Sequence, residues 1–196
     1  MEDSTRRGGR YCKIAVLGAR NVGKTSLTVQ FVESHFVESY YPTTENQFSK
    51  QLRVGKLNYS LEICDTAGQD DVSVLNNKSL NGIQGIMIVY SCVNRASFDV
   101  VSVIRDKVND QLEFRDIATL VVANKIDLRD AKSGGWSGGN ERVTEQEGRR
   151  LAERLGAGFV ECSAKYDTGV DKAFEKMVRR VEALAPAGVD DGCSVM

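Results

Sequence analysis

Eight consecutive residues, Gly18-Ala19-Arg20-Asn21-Val22-Gly23-Lys24-Thr25, constrain this chain more than any other stretch. They follow a short apolar run, Tyr11-Cys12-Lys13-Ile14-Ala15-Val16-Leu17, and open residues 24–32, where Leu27, Phe31 and Val32 recur at helical spacing. Strand, loop and helix in that order give G-x-x-x-x-G-K-[ST] the context in which the pattern has a mechanism. Glycines let the backbone wrap a chain of phosphates, while the loop N–H groups and the helix N-terminus point at the anion. Lys24 is placed to reach the terminal phosphates and Thr25 to meet Mg²⁺. Arg20, Asn21, Val22, Gly23, Lys24, Thr25 and Ser26 are therefore the candidate phosphate-binding residues. A chance match somewhere in 196 residues is about one in a hundred on average residue usage. The plain alternative is a tight strand-to-helix turn.

The rest of the chain fits a parallel sheet with helical crossovers. Ile86-Met87-Ile88-Val89-Tyr90 and Thr119-Leu120-Val121-Val122-Ala123 are near-continuous apolar runs, as expected of strands buried on both faces. Gly158-Phe159-Val160-Glu161-Cys162 is a weaker last strand, and residues 97–112, 144–155 and 170–184 carry helical spacing. Thr144-Glu145-Gln146-Glu147 is a capping box. Residues 47–54 and 57–64 flank Gly55-Lys56 and read as a hairpin, the one antiparallel step. Alternating strands and helices predict an α/β, three-layer fold with a mostly parallel sheet. Residues 131–140, rich in Gly and Ser, read as a surface loop.

Two further motifs end apolar strands. Asp65-Thr66-Ala67-Gly68-Gln69 places a carboxylate where a phosphate-loop fold holds its magnesium; alone it would be a turn. Asn124-Lys125-Ile126-Asp127 is weak as four isolated residues. Beside a phosphate loop it acquires a chemistry. A carboxylate accepts both N–H donors of the guanine edge, a pair that adenine lacks, while an amide can bond ring acceptors and its neighbours and a lysine stem can cover the base face. Ser163-Ala164-Lys165, after the last strand, would add a backbone N–H toward the base.

Composition removes competing classes. Lys and Arg number 26 against 27 Asp and Glu, a net charge of −1, so no global basic footprint for nucleic acid is present. The single histidine, His35, excludes the HExxH zinc pattern and argues against a Ser-His-Asp triad. A chain of this length suits one domain that buries roughly 70% of its unfolded surface. No apolar run approaches the roughly 18 residues of a membrane span, the first residues lack the apolar core of a signal peptide, and Glu2 excludes N-myristoylation. The expectation is a soluble intracellular protein with a flexible extension over 1–10, one domain over 11–185 and a disordered tail over 186–196. Cys12, Cys64, Cys92 and Cys162 lie in or beside apolar runs, as reduced core thiols do, whereas Cys193 stands in the polar tail. Cys193-Ser194-Val195-Met196 fits C-a-a-X of the farnesyl type, although Ser194 is not aliphatic and so short a pattern also arises by accident.

In order and spacing, the phosphate loop, Pro42-Thr43-Thr44, Asp65–Gln69, Asn124–Asp127 and Glu161-Cys162-Ser163-Ala164-Lys165 resemble the Ras family of small GTPases over about residues 11–185. Arg20, Glu45-Asn46 and the Cys193 tail are most similar to its Rheb branch. The resemblance implies a six-stranded sheet with about five helices, GDP/GTP and Mg²⁺ as ligands, slow GTP hydrolysis, and two segments that order around the γ-phosphate. Carried over by position, Thr43 meets Mg²⁺ and γ-phosphate, and Asp65 and Thr25 complete the metal site. Gly68 offers its N–H to the γ-phosphate and Gln69 orients the attacking water, with Lys24 and Arg20 as further catalytic candidates. Phe36 packs against the guanine, Tyr40 lies over the nucleotide, and Asn124, Lys125, Asp127, Ser163, Ala164 and Lys165 surround the base. Implied partners are a GTPase-activating protein, an exchange factor, a TOR-kinase effector and, through a farnesyl on Cys193, the cytoplasmic face of endomembranes with a cytosolic pool; the chain is expected to be a monomer.

Three residues depart from the family pattern. Arg20 replaces a glycine, and it either crowds the γ-phosphate, stabilises its charge or is simply solvated. Tyr41 stands in place of an Asp and Val72 in place of a Tyr, which changes the surfaces that partners read. A GTP-binding scaffold with little hydrolysis is the alternative to an active switch. A small-molecule kinase would need an acceptor pocket and lid that the sequence does not offer.

Overall fold

The computed structural model describes residues 9–36, 45–66, 81–112, 116–130 and 142–185. Along the chain these form β1 (Arg10–Leu17), α1 (Lys24–Glu33), β2 (Glu45–Val54), β3 (Leu57–Thr66), β4 (Gly85–Ser91), α2 (Arg95–Gln111), β5 (Ala118–Asn124), α3 (Ile126–Asp130), α4 (Glu145–Arg154), β6 (Gly158–Glu161) and α5 (Val170–Leu184). The sheet order is β2-β3-β1-β4-β5-β6, with β2 antiparallel to β3 and every other pair parallel.

Two apolar cores explain why β1, β4 and β5 read as continuous hydrophobic runs. Alternate residues of each strand point to opposite faces. Ile14, Val16, Met87, Val89, Leu120 and Val122 meet Leu27 and Phe31 of α1 and Phe174, Met177 and Val178 of α5. Their neighbours Ala15, Leu17, Ile86, Ile88, Val121 and Ala123 meet Val101, Ile104 and Val108 of α2 and Leu151 of α4. Phe31 and Phe174 stack with centroids 3.8 Å apart.

The hairpin forms around Gly55-Lys56, and its strands run two residues further at the outer ends than the pattern suggested, pairing Glu45 with Thr66. Helix α2 begins earlier than its apolar spacing, because Asn94 caps it by accepting from the Ser97 N–H. The capping box on α4 forms as read: the Thr144 hydroxyl accepts from the Glu147 N–H while Glu147 accepts from the Thr144 N–H. Those bonds, with the Arg95 ion pair, hold the Glu147 carboxyl down at about 2. Helix α3, only five residues long, was not legible as a helix. Cys12, Cys64, Cys92 and Cys162 are buried thiols outside any disulfide.

Parallel strands deliver their C-terminal ends to one edge of the sheet, where open α/β folds bind ligands. The C-terminal ends of β1, β3, β5 and β6, where four of the sequence motifs begin or end, lie along that edge.

Candidate functional site

The phosphate loop is held in a conformation that two glycines permit. Gly18 has φ 142°, and a Cβ there would lie 2.1 Å from the Val89 carbonyl oxygen. Gly23 has φ 91°, and a Cβ there would lie 2.5 Å from Asn124 Nδ2. Both positions combine left-handed backbone with a contact too close for any side chain. Gly23 is also the N-cap of α1, with no side-chain cap bond and no acid in the first turn. Unlike α4, α1 presents its first N–H groups without a side-chain cap, an arrangement that can receive an anion.

Lys24 lies across this loop, 6% exposed, with Nζ donating to the carbonyls of Gly18 at 3.1 Å and Ala19 at 3.0 Å. The ammonium is thereby parked beside the anion site. Val22 is fully buried in the core, so its share in the site is its backbone. Arg20 and Asn21 are exposed and Ser26 is half-buried in the first turn of α1.

Asp65, at the end of β3, has no exposed surface, and one carboxylate oxygen accepts from the Thr25 hydroxyl at 2.6 Å. Its Oδ1 is buried with no hydrogen-bond partner. Burial pushes the carboxyl up to about 6, against the opposing pull of the Thr25 hydroxyl and of Lys24. An orphan carboxylate oxygen beside a hydroxyl is a hard-oxygen donor set, and it fits a magnesium ion held mainly by water and phosphate oxygens. Among the described residues no group of three or more His, Cys, Asp or Glu could hold a metal.

On the far side, Asn124 is 1% exposed and its amide is fully engaged. Nδ2 donates to Val22 O at 2.9 Å, and Oδ1 accepts from the Ala164 N–H at 3.2 Å. One side chain therefore ties the phosphate loop to the segment after β6. Lys125, at φ 66°, reaches back to the Asn21 carbonyl at 2.5 Å, and burial lowers its affinity for the proton. Asp127 is half-buried and accepts from the Ser163 hydroxyl at 2.6 Å. A carboxylate has about four lone-pair directions, so that bond leaves capacity for two further donors.

Sequence reading placed a backbone N–H of Ser163-Ala164-Lys165 toward the base; the Ala164 N–H donates to Asn124 and the Ser163 N–H to the Thr168 carbonyl. It gave the Asn124 amide both ring acceptors and neighbours as partners, and both ends of the amide bond to neighbours here. Ser163 was read for its backbone, yet its hydroxyl orients Asp127, a role that no local pattern signals. Lys165 is exposed, its ammonium 5.8 Å from the centre of the Tyr166 ring. Phe36 is partly buried against the core, and His35 is exposed at the end of α1. Tyr40, Thr43, Gly68, Gln69 and Cys193, with Tyr41, Val72 and the 131–140 insertion, lie outside the described residues.

The family pattern described as "Ras family" matches residues 13–183. The chain is 46% identical to the "GTP-binding protein RHB1" of Saccharomyces cerevisiae, covering 94% of this chain and 92% of that protein. It is 48% identical to the "Small monomeric GTPase RhbA" of Aspergillus fumigatus over 87% of each. Against the human "GTP-binding protein Rheb" the identity is 40%, over 94% of this chain and 96% of that one.

Proposed function

We propose, from the premise that this chain belongs to the Ras family, how its GTP-dependent switch works and which partners it serves. As a Rheb-like small GTPase it binds GDP and GTP with Mg²⁺ and hydrolyses GTP to GDP. The observation that carries the reading is the Asn124 bridge, which joins a phosphate-binding loop and a guanine-selective carboxylate into one site. In it, the α1 N-terminus and Lys24 hold the phosphates, Thr25 and Asp65 hold the ion, and Asp127 reads the base edge. Bound Mg²⁺ supplies positive charge to the β- and γ-phosphate oxygens. Hydrolysis is positioning rather than covalent chemistry, and Gln69 is the residue proposed to align the water.

The test is competition of labelled GDP by guanine and adenine nucleotides, paired with single-turnover GTP hydrolysis. Guanine-only competition with measurable turnover is the expected result; competition by ATP would end the guanine assignment. Tight GTP binding with no turnover, alone or with an activating protein, would favour the scaffold.

Slow hydrolysis is the finer proposal, with Arg20 as one cause. Its side chain springs from the loop that holds the phosphates, so the stem has to pass the nucleotide before the guanidinium is useful. Arg20→Gly is therefore expected to raise single-turnover hydrolysis several-fold, about 1 kcal/mol of barrier. A slower variant would make Arg20 a catalytic group and end the obstruction account.

The partners follow the similarity to Rheb proteins: an activating protein, an exchange factor and an effector of the TOR-kinase type, engaged in the GTP state through the Thr43 segment. Membrane attachment is proposed through a farnesyl on Cys193, at the cytoplasmic face of endomembranes. Residues 188–192, Gly-Val-Asp-Asp-Gly, carry no basic cluster and no second cysteine, and one chain gives only reversible binding, so a cytosolic pool is expected. Cell fractionation of Cys193→Ser should show the membrane fraction lost; an unchanged fraction rules out anchoring at this residue.

A further inference from the structure

We infer that the Arg129–Glu161 ion pair is a specificity-determining clamp: it positions Asp127 for the guanine edge without touching the nucleotide. The inference rests on the guanine-binding reading above.

The need for such a clamp follows from α3. A helix of five residues does not stabilise itself, because nucleation fixes several dihedrals for the first hydrogen bond. Asp127 sits in its first turn, so where the carboxylate points is decided by what holds the helix from outside. Several attachments do so. The Cys92 thiol donates to the Lys125 carbonyl at 3.2 Å, and the Ile126 N–H donates to the Cys162 carbonyl at 3.3 Å. The Ser163 hydroxyl takes Asp127 itself. Another is the pair: Arg129 Nη1 and Nη2 donate to Glu161 Oε1 at 2.5 Å and Oε2 at 3.0 Å.

This last attachment differs in kind from the others. It is bidentate, so it fixes the orientation of α3 as well as its distance. Both side chains are largely withdrawn from water, at 18% and 16% exposed, which sets the pair apart from the surface pair Arg149–Glu145 at 59% and 47%. Its two ends also bracket the functional contact. Arg129 lies two residues beyond Asp127, and Glu161 two residues before Ser163, whose hydroxyl donates to the Asp127 carboxylate. The clamp and the Asp127–Ser163 bond therefore close one ring between α3 and the end of β6. Arg142 adds a second tie by donating to the Arg129 carbonyl at 3.2 Å.

Loosening the clamp should spare the phosphate contacts most, since Lys24 donates to Gly18 and Ala19 and Thr25 to Asp65, all outside α3. The loss should fall on base reading. GDP and IDP distinguish the two effects, because IDP lacks only the 2-amino group that a well-placed carboxylate accepts. The experiment is equilibrium binding of GDP and IDP, with Mg²⁺, to full-length wild type, Glu161→Gln and Arg129→Lys. The wild type should favour GDP, and Glu161→Gln should cut the GDP-over-IDP ratio about tenfold. Arg129→Lys, which keeps the charge but not the fork, should give a smaller fall and covers the case in which Glu161→Gln folds poorly. A merely structural pair would weaken both nucleotides equally; variants that retain the wild-type ratio overturn the clamp. A wild type without GDP preference would overturn the guanine reading itself, and the clamp with it.

Discussion

Asp127→Asn is expected to turn a guanine-selective site into one that prefers xanthine nucleotides, with GDP affinity falling 10³-fold or more. The carboxylate accepts two N–H donors on the guanine edge, and in a desolvated pocket the loss of that charge-assisted pair costs several kcal/mol. The structure also says which way the new amide would face. Ser163 donates to Asp127 Oδ1 at 2.6 Å, and an asparagine oxygen can keep that bond. Its NH₂ is then directed at the ligand, where xanthine presents a carbonyl in place of the guanine amino group. Because the Ser163 bond survives, the substitution should change thermal stability little. Competition of labelled nucleotide by GDP and XDP measures the swap; retained guanine preference would show that Asp127 does not read the base.

What was legible in the sequence depended on how local the cause was. β4 and β5 announce themselves because both faces are buried, so nearly every residue is apolar and no period is needed. The phosphate loop is legible for a related reason, since Gly18, Gly23, Lys24 and Thr25 lie within eight residues and each has its own physical requirement. Helix α3 was missed because five residues carry no helical period and follow a left-handed lysine that reads as a turn.

The site showed the same limit in three dimensions. The bond between Thr25 and Asp65 spans forty positions, and only a shared magnesium, inferred from the phosphate-loop pattern, joined them in advance. Arg129 and Glu161 are 32 positions apart, and neither belongs to a motif that would direct attention to the other. Ser163 was singled out with its segment, but its hydroxyl bond to Asp127 was not foreseen. Backbone donors can be guessed from a loop, but which side chain accepts them depends on how two loops meet.

Asn124→Ala tests that meeting directly. The substitution leaves the Val22 carbonyl and the Ala164 N–H buried without their partner, at about 1–3 kcal/mol each. For a domain of this size the sum corresponds to a fall of about 10 °C in the thermal midpoint. Nucleotide affinity should fall further than stability, by at least 10²-fold for GDP, because the phosphate loop and the base loops lose the group that sets their separation. Asn124→Asp separates geometry from volume. It is nearly isosteric and keeps an acceptor for Ala164, but it faces a carboxylate oxygen toward Val22 O, 2.9 Å from where Nδ2 lies. It should therefore fail to restore binding. Calorimetric melting and GDP release rates measured on both variants decide the matter. If Asn124→Ala melts lower yet releases GDP at the wild-type rate, the two halves of the site are held in register by something other than this side chain.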